Sequence, residues 1–188
     1  MDNMLDLITI GEGLVELSSV QSLTYADTLN KYFGGDTLTT AIAATRSGAK
    51  VGFISKVGND AFRDFLVGGW ASEGLDISRV TCIEGHNGVY FVAGHETGKK
   101  EFAYYRKKTA ASMLSVKDID EEYVNSAKAV YATGITQSLS LSAKEAVSKL
   151  FKIAKENGKN ITSIDSHARA ALYKYDWPGN IRQLRNCM

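Results

Sequence analysis

The 188 residues are 44% hydrophobic and 23% charged, a composition typical of one globular domain or of part of a larger one. The 22 Lys and Arg residues nearly balance the 21 Asp and Glu residues, so charge gives no reason to expect nucleic acid or a membrane surface as a partner. Cys82 and Cys187 match no metal-ligand spacing, and the acidic amino terminus does not resemble a signal peptide. We therefore expect a cytoplasmic protein with reduced thiols.

The first part of the chain alternates predicted strands and helices. Apolar runs predict three strands, at residues 5–11, 13–19 and 50–58. Helical spacing of apolar residues predicts two helices, at residues 34–48 and 59–74. We expect Asp36 to be the N-cap of the first helix and Asn59 or Asp60 to be that of the second. This alternation indicates an α/β fold with a parallel sheet and helices on its faces.

A β-rich segment then interrupts the alternation. Three strand-like runs follow one another, at residues 79–85, 88–96 and 99–108. The last two flank Thr97 and Gly98, which are typical of a hairpin turn. We expect these runs to belong to a small β lid formed by residues of about 13–33 and 78–109.

The alternation resumes after this segment, in the order helix, strand, helix, strand, at residues 118–127, 129–134, 141–158 and 160–165. Ser142 and Glu145 form a predicted capping box for the long helix, and Gly158 ends it. Its predicted apolar face consists of Val147, Leu150, Phe151 and Ala154. These patterns give about four parallel strands, whereas sheets have five or six on average, so we predict a sheet truncated at its carboxyl side.

Two nucleotide-binding motifs are only superficially matched. Gly11 and Gly13 fit the start of a dinucleotide fingerprint, but Glu16 replaces its third glycine. Residues 94–101 resemble a P-loop, but Lys100 stands where that motif requires Ser or Thr. Metal-ligand spacing is also absent from the three histidines, His86, His95 and His167.

Gly34 and Gly35 directly precede the first predicted helix. Taken alone, such a pair fits either a ligand that approaches the backbone or a tight loop. Together with residues 33–66, however, it resembles the amino-terminal signature of the PfkB, or ribokinase-like, carbohydrate kinases. Within that family the chain is most similar to the 2-keto-3-deoxygluconate kinases and to fructokinase-like members. The resemblance covers residues 5–169 and implies a ribokinase-like parallel sheet with flanking helices and a small β lid.

The resemblance also implies a set of substrate-binding residues, namely Gly34, Gly35, Tyr90, Tyr104, Arg106 and Arg169. Tyr104 and Arg106 are two positions apart on a predicted strand, so both should project from one face. A guanidinium suits a carboxylate because its planar fork can donate paired hydrogen bonds. The alternatives are that Arg106 is a solvated hairpin charge and that Tyr104 is a packing residue.

Two positions depart from the family pattern. Thr39 stands where the family usually has an asparagine in the first helix, and His167 replaces the asparagine that precedes the arginine matched by Arg169. Each change removes an amide from the expected polar network around the sugar.

The family's catalytic aspartate lies in a Gly-Ala-Gly-Asp run, and the 188 residues contain no such run. The resemblance implies ATP and Mg²⁺ for the complete reaction, and we expect this chain alone to bind neither productively. Residues 1–169 therefore correspond to the amino-terminal part of a carbohydrate kinase domain. Residues 170–188 form a predicted helical tail. The run at residues 168–186, which contains Trp-Pro-Gly-Asn-Ile-Arg at 177–182, resembles a segment of the AAA+ enhancer-binding transcriptional activators.

The sequence thus indicates a sugar kinase that acts on a sugar or sugar acid, with only the substrate-binding half present. The alternative is a catalytically inactive truncated or fused product that oligomerises through the lid or an exposed sheet edge. A regulator that binds DNA is not favoured, since the chain is neutral overall.

Overall fold

The computed structural model describes residues 4–94 and 100–156 of the chain. The described strands are β1 to β8, in chain order Leu5–Ile10, Leu14–Ser19, Asn30–Gly34, Val51–Gly58, Val80–Ile83, Gly88–Gly94, Lys100–Tyr105 and Ala127–Tyr131. The described α-helices are α1 to α5, in chain order Asp36–Arg46, Arg63–Ser72, Glu121–Asn125, Gly134–Gln137 and Leu141–Glu156. Two short 3₁₀ helices, Ala110–Met113 and Val116–Asp118, lie between β7 and α3.

The main sheet has the strand order β5-β4-β1-β8, and all of its strands are parallel. Successive residues of a strand point to opposite faces, so neighbouring apolar residues serve two different cores. Phe53 packs with Leu38, Leu66 and Trp70 on the face covered by α1 and α2. Ile54 faces the other side, where residues of α5 complete the second core. A parallel sheet covered on both faces is the arrangement that the sequence alternation predicts.

The lid is a second four-stranded sheet with the order β3-β2-β6-β7. Its β2–β3 and β6–β7 pairs are antiparallel, whereas β2 and β6 run parallel. Register places Glu16 opposite Tyr90, and Tyr90 opposite Tyr104, so these three side chains line up across one face of the lid. Tyr32 continues the row on β3.

The strand β5 does not belong to the lid, although we expected the lid to include residues from about 78. It pairs in parallel with β4, with Ser55 opposite Val80, and forms one edge of the main sheet. The reason is topological: α2 crosses over the sheet after β4 and returns the chain beside that strand. The second lid segment therefore starts with β6.

The helix caps differ from the predicted ones. Gly35, rather than Asp36, is the N-cap of α1, and Asp36 lies in the first turn. The N-cap of α2 is Phe62, while Asp60 accepts a hydrogen bond from the Phe62 amide at 2.9 Å in the preceding turn.

At the start of α5 the predicted capping box is wrong. The helix begins at Leu141, so Ser142 already lies inside its first turn. Ser140 takes the capping role, because its hydroxyl oxygen accepts a hydrogen bond from the Ala143 amide at 3.1 Å. The predicted apolar face of α5 is otherwise buried, but the side chain of Phe151 is not: that residue is 42% exposed.

Several predictions fall outside the described residues. These are the hairpin tip at Thr97 and Gly98, the helix end at Gly158, the strand at 160–165, Arg169 and the tail at 170–188. Within the described part of the chain, no helix combines the length and the apolar character that crossing a membrane requires.

Candidate functional site

A cavity of about 460 Å³ lies at the carboxyl ends of β1 and β8, between the main sheet and the lid. The chain leaves β1 towards β4 and β5 on one side and later returns to β8 on the other. Parallel sheets bind ligands at such a switch point, since the loops after the two neighbouring strands diverge there. The residues around the cavity are Glu12, Leu14, Gly35, Asp36, Thr37, Thr39, Thr40, Tyr90, Phe102, Tyr104, Arg106, Tyr131, Ile135, Thr136 and Leu139.

The glycine pair joins the lid strand β3 to α1 and shapes one wall of the cavity. Gly35 has φ of 150°, a conformation that side chains rarely adopt, and a Cβ atom there would collide with the backbone oxygen of Glu12. A Cβ atom on Gly34 would collide with the hydroxyl group of Tyr90. The pair is therefore required for the close approach of the chain to Glu12 and Tyr90.

Aromatic side chains from β6 and β7 form the lid wall of the cavity. The rings of Tyr90 and Tyr104 stack with centroids 5.6 Å apart, and those of Phe102 and Tyr104 with centroids 6.3 Å apart. The Tyr90 hydroxyl donates a hydrogen bond to the Glu16 carboxylate. Burial and this carboxylate raise the pKa of Tyr90 above its usual range, so its hydroxyl stays protonated at neutral pH.

Arg106 follows β7 and reaches a buried carboxylate on the main sheet. Its Nη2 atom lies 2.6 Å from Oε2 of Glu12, and the Thr109 hydroxyl donates a hydrogen bond of 2.6 Å to Oε1 of the same carboxylate. Burial raises the pKa of Glu12, while the hydrogen bond from Thr109 and the charge of Arg106 act in the opposite direction. The Arg106 side chain is 28% exposed and borders the cavity.

Hydroxyl groups of threonines line the opposite wall, at the first turns of α1 and in α4. Thr136 donates to the backbone oxygen of Ile10 at 3.1 Å. The Thr37 hydroxyl is buried and has no hydrogen-bond partner among the described residues. Thr39, one of the two positions expected to depart from the family pattern, is exposed at the cavity wall. The described lining of the cavity thus combines Arg106, the carboxylates of Glu12 and Asp36, aromatic faces and several hydroxyl groups, a set suited to a polar ligand.

Four of the six predicted substrate-binding residues meet at this cavity: Gly35, Tyr90, Tyr104 and Arg106. Gly34 does not border the cavity but lies next to the hydroxyl group of Tyr90, a residue that borders it. Arg169 lies outside the described residues. Arg106 is not a solvated hairpin charge, since Glu12 pairs with it, and it follows the last residue of β7 rather than lying within the strand. Whether these residues bind a substrate stays a prediction.

Sequence reasoning missed Glu12, Thr37, Thr136 and Phe102 as residues of the cavity. Glu12 carried a usable signal, because it is a charged residue directly after a buried strand, where parallel sheets place functional groups. Thr37 and Thr136 carried none, since threonine is common at exposed helix positions as well. Within the described ranges, no three His, Cys, Asp or Glu side chains are grouped so that they could hold a metal ion.

Comparison with known proteins agrees with this architecture. A 2-dehydro-3-deoxygluconokinase from Thermoproteus tenax is 37% identical over 180 residues, which are 93% of this chain and 53% of that protein. A PfkB protein from Polaromonas sp. JS666 is 33% identical, with a TM-score of 0.78, over 82% of this chain and 53% of its own. An uncharacterized sugar kinase from Pyrococcus horikoshii, solved in complex with ATP, is 30% identical, with a TM-score of 0.70, over 79% of this chain and 49% of its own.

The chain spans about half the length of the curated relatives it matches. Residues 4–176 match the description "pfkB family carbohydrate kinase". The matched segment includes both sheets, the glycine pair and every described residue of the cavity. The chain belongs to the pfkB family of carbohydrate kinases.

Proposed function

We propose that this chain carries the substrate-binding part of a kinase that phosphorylates a 2-keto-3-deoxy sugar acid, such as 2-keto-3-deoxygluconate, with ATP. The observation that carries the proposal is the position of Arg106, whose side chain borders a cavity that is also lined by aromatic rings, hydroxyl groups and the carboxylates of Glu12 and Asp36. A neutral sugar would leave that cation without a partner in the ligand. The likeness to a 2-dehydro-3-deoxygluconokinase supports the same choice of substrate.

Arg106 binds the carboxylate of the substrate in this proposal. Its Nη2 atom is in the ion pair with Glu12, and a guanidinium has five N–H donors, so the proposal assigns further donors of the fork to the ligand. The side chain is 28% exposed and borders the cavity, where a ligand can reach it. A charge-assisted hydrogen bond of this kind is about twice as strong as a neutral one.

The tyrosines and threonines bind the rest of the sugar acid. Tyr104 presents a ring face and a hydroxyl group, and its stacking on Tyr90 fixes the plane of both rings. Thr39 offers a hydroxyl group that can donate or accept, whereas the Thr136 hydroxyl, which donates to the Ile10 backbone oxygen, can only accept. Gly35 lets the substrate approach the backbone at the start of α1.

Phosphoryl transfer needs groups beyond those in the cavity. ATP supplies the γ-phosphoryl group and Mg²⁺ neutralises its charge in kinases generally. The 188 residues contain no Gly-Ala-Gly-Asp run, the run in which the family's catalytic aspartate lies. We therefore expect the 188 residues by themselves to bind the sugar acid without transferring phosphate at a measurable rate.

Isothermal titration calorimetry with 2-keto-3-deoxygluconate tests this function. Arg106→Ala should weaken binding at least about tenfold, because a hydrogen-bonded charge is lost. Tyr104→Phe keeps the stacked ring and removes one hydroxyl group, so a smaller loss of about fivefold is expected. Arg63→Ala is the matched control, since Arg63 pairs with Asp64 on the surface of α2.

Binding by the unaltered chain that Arg106→Ala leaves unchanged would contradict the proposed site. No binding of the acid at millimolar concentration would contradict the proposed substrate class. A coupled assay with ATP and Mg²⁺ on the same samples checks the expected absence of turnover.

A further inference from the structure

Glu12 occupies an unusual position for a carboxylate. It follows β1 in the main sheet, only 5% of it is exposed, and it is held by groups from two other parts of the chain. Arg106 follows the lid strand β7, and Thr109 lies in the segment that leads from the lid back to the main domain. One carboxylate thus connects the sheet, the lid and the segment between them.

The packing around Glu12 and Arg106 is close at Gly88. Gly88 lies beside it at the start of β6, and a Cβ atom there would come within 3.1 Å of Oε1 of Glu12 and 3.3 Å of the Cβ atom of Arg106. Any larger residue would also collide with Leu14. Glycine at position 88 therefore leaves space for the contact between the Glu12 carboxylate and Arg106.

Stability does not explain a buried carboxylate at this place. Burying a charged group costs free energy, and replacing a buried ion pair by apolar residues is often neutral or stabilising. The raised pKa of Glu12 reflects that cost. A buried ion pair can instead fix the geometry of its members. Here the member that reaches the cavity is Arg106.

We propose that Glu12 is a positioning residue that holds the Arg106 guanidinium in the orientation that receives the substrate carboxylate, with Thr109 fixing Glu12 in turn. This inference rests on the proposed function. An arginine side chain has many rotamers, and ordering it only when the ligand arrives would reduce affinity. The contact with Glu12 orders the side chain beforehand and leaves the remaining donors directed to the cavity.

The negative charge of Glu12 and its proposed positioning role predict opposite effects on the binding of the acid, so the inference can be tested. The Glu12 carboxylate repels the carboxylate of the ligand. If charge were its only effect, the acid would bind more tightly when Glu12 is replaced by a neutral residue. A positioning role predicts weaker binding, since glutamine carries no charge and only one of its two side-chain polar atoms accepts, so it holds the guanidinium less firmly than the carboxylate does.

The first test compares two ligands by calorimetry. They are 2-keto-3-deoxygluconate and 3-deoxyfructose, which carries a hydroxymethyl group in place of the carboxylate. Glu12→Gln should weaken binding of the acid about tenfold and change binding of the neutral sugar less than about twofold. Thr109→Val should act in the same direction, whereas Thr109→Ser keeps the hydroxyl group and should restore wild-type binding of the acid.

A double-mutant cycle checks that the effect passes through Arg106. Once Arg106→Ala is present, Glu12→Gln should cause no further loss of acid binding, because the residue it positions is gone. Equal losses for both ligands would show that Glu12→Gln merely disturbs the fold and would overturn the inference. So would unchanged or tighter binding of the acid.

The second test needs no ligand. Nitrogen-15 relaxation of arginine Nε–H groups, with Arg106 assigned by its loss in Arg106→Lys, should show an ordered side chain in the wild type and a mobile one in Glu12→Gln. A mobile Arg106 in the wild type would overturn the inference whatever the chain binds. An Arg106 ordered by Glu12 in a chain that binds no acid would instead refute the proposed function, and Glu12 would then be a structural contact only.

Discussion

At the scale of single residues, the site depends on close approaches that only certain residues allow. Gly35 is the clearest case, since both its backbone conformation and the nearby oxygen of Glu12 exclude a side chain. Gly34 and Gly88 permit the approach of Tyr90 and Arg106 in the same way. Glu12, Tyr90 and Arg106 can thus occupy their positions because the residues next to them are glycines without side chains.

We expect Gly35→Ala to lower the free energy of unfolding by about 2 kcal/mol, because it combines a strained φ with a steric collision. Gly68→Ala is the matched control. Gly68 lies inside α2, and a Cβ atom added to it would meet no atom within 4 Å, so alanine there should stabilise the protein by about 0.5–1 kcal/mol. Urea unfolding of both variants measures the difference, and equal effects would contradict the role given to Gly35.

At the scale of elements, α5 shows what tertiary packing adds to an amphipathic pattern. Its sequence predicts that Leu150 and Phe151 share the apolar face, yet Leu150 is fully buried and Phe151 is 42% exposed. The neighbouring residues lie about 100° apart around the helix, and the buried arc, centred on Val147, Leu150 and Ala154, ends between them. The limits of the buried arc depend on the residues that pack against the helix, and the sequence of the helix does not show them.

This pair of neighbours gives a prediction about α5. Leu150→Ala should lower the free energy of unfolding by about 2–5 kcal/mol, because it leaves a cavity in the core between α5 and the main sheet. Phe151→Ala should cost less than about 1 kcal/mol, since much of the ring is in water already. Thermal or urea unfolding compares them, and a larger loss for Phe151→Ala would mean that α5 packs in another rotation.

At the scale of the whole molecule, the cavity exists because the lid is held at a fixed place over the main sheet. Asn87, which is buried directly before β6, makes the second connection beside Glu12. Its side chain accepts from the Gly58 amide at 3.0 Å and donates to the Gly58 carbonyl at 3.1 Å and to the Asp60 carboxylate at 2.6 Å. The end of β4 is thereby tied to the start of the lid.

We expect Asn87→Ala to lower the free energy of unfolding by about 2–3 kcal/mol, because it leaves buried partners of its side chain unsatisfied. Hydrogen exchange of the Gly58 amide, which donates to Asn87, should become faster in this variant. Asn59→Ala is the control: its side chain donates to Glu84 at the surface, so a loss below about 1 kcal/mol is expected. Unchanged exchange at Gly58 would contradict the connection.

The sequence by itself determined the order of most elements, although it did not predict β3 or α4, and its resemblance to a family gave four residues of the cavity. Strand and helix periods are local properties of the chain, so β1, β4, α1 and α5 could be predicted from them. The resemblance to a family identified Tyr90, Tyr104 and Arg106 through a continuous pattern of residues. Gly35 was part of the same pattern.

Only the tertiary structure decided which distant groups meet. Thr109 and Glu12 are 97 positions apart, and no local pattern links them, so their contact appears only when the lid folds back on the main sheet. The same holds for β5, whose short sequence suits either sheet until the crossover of α2 places it beside β4. Local propensity determines what a segment forms, whereas the path of the chain determines its partners.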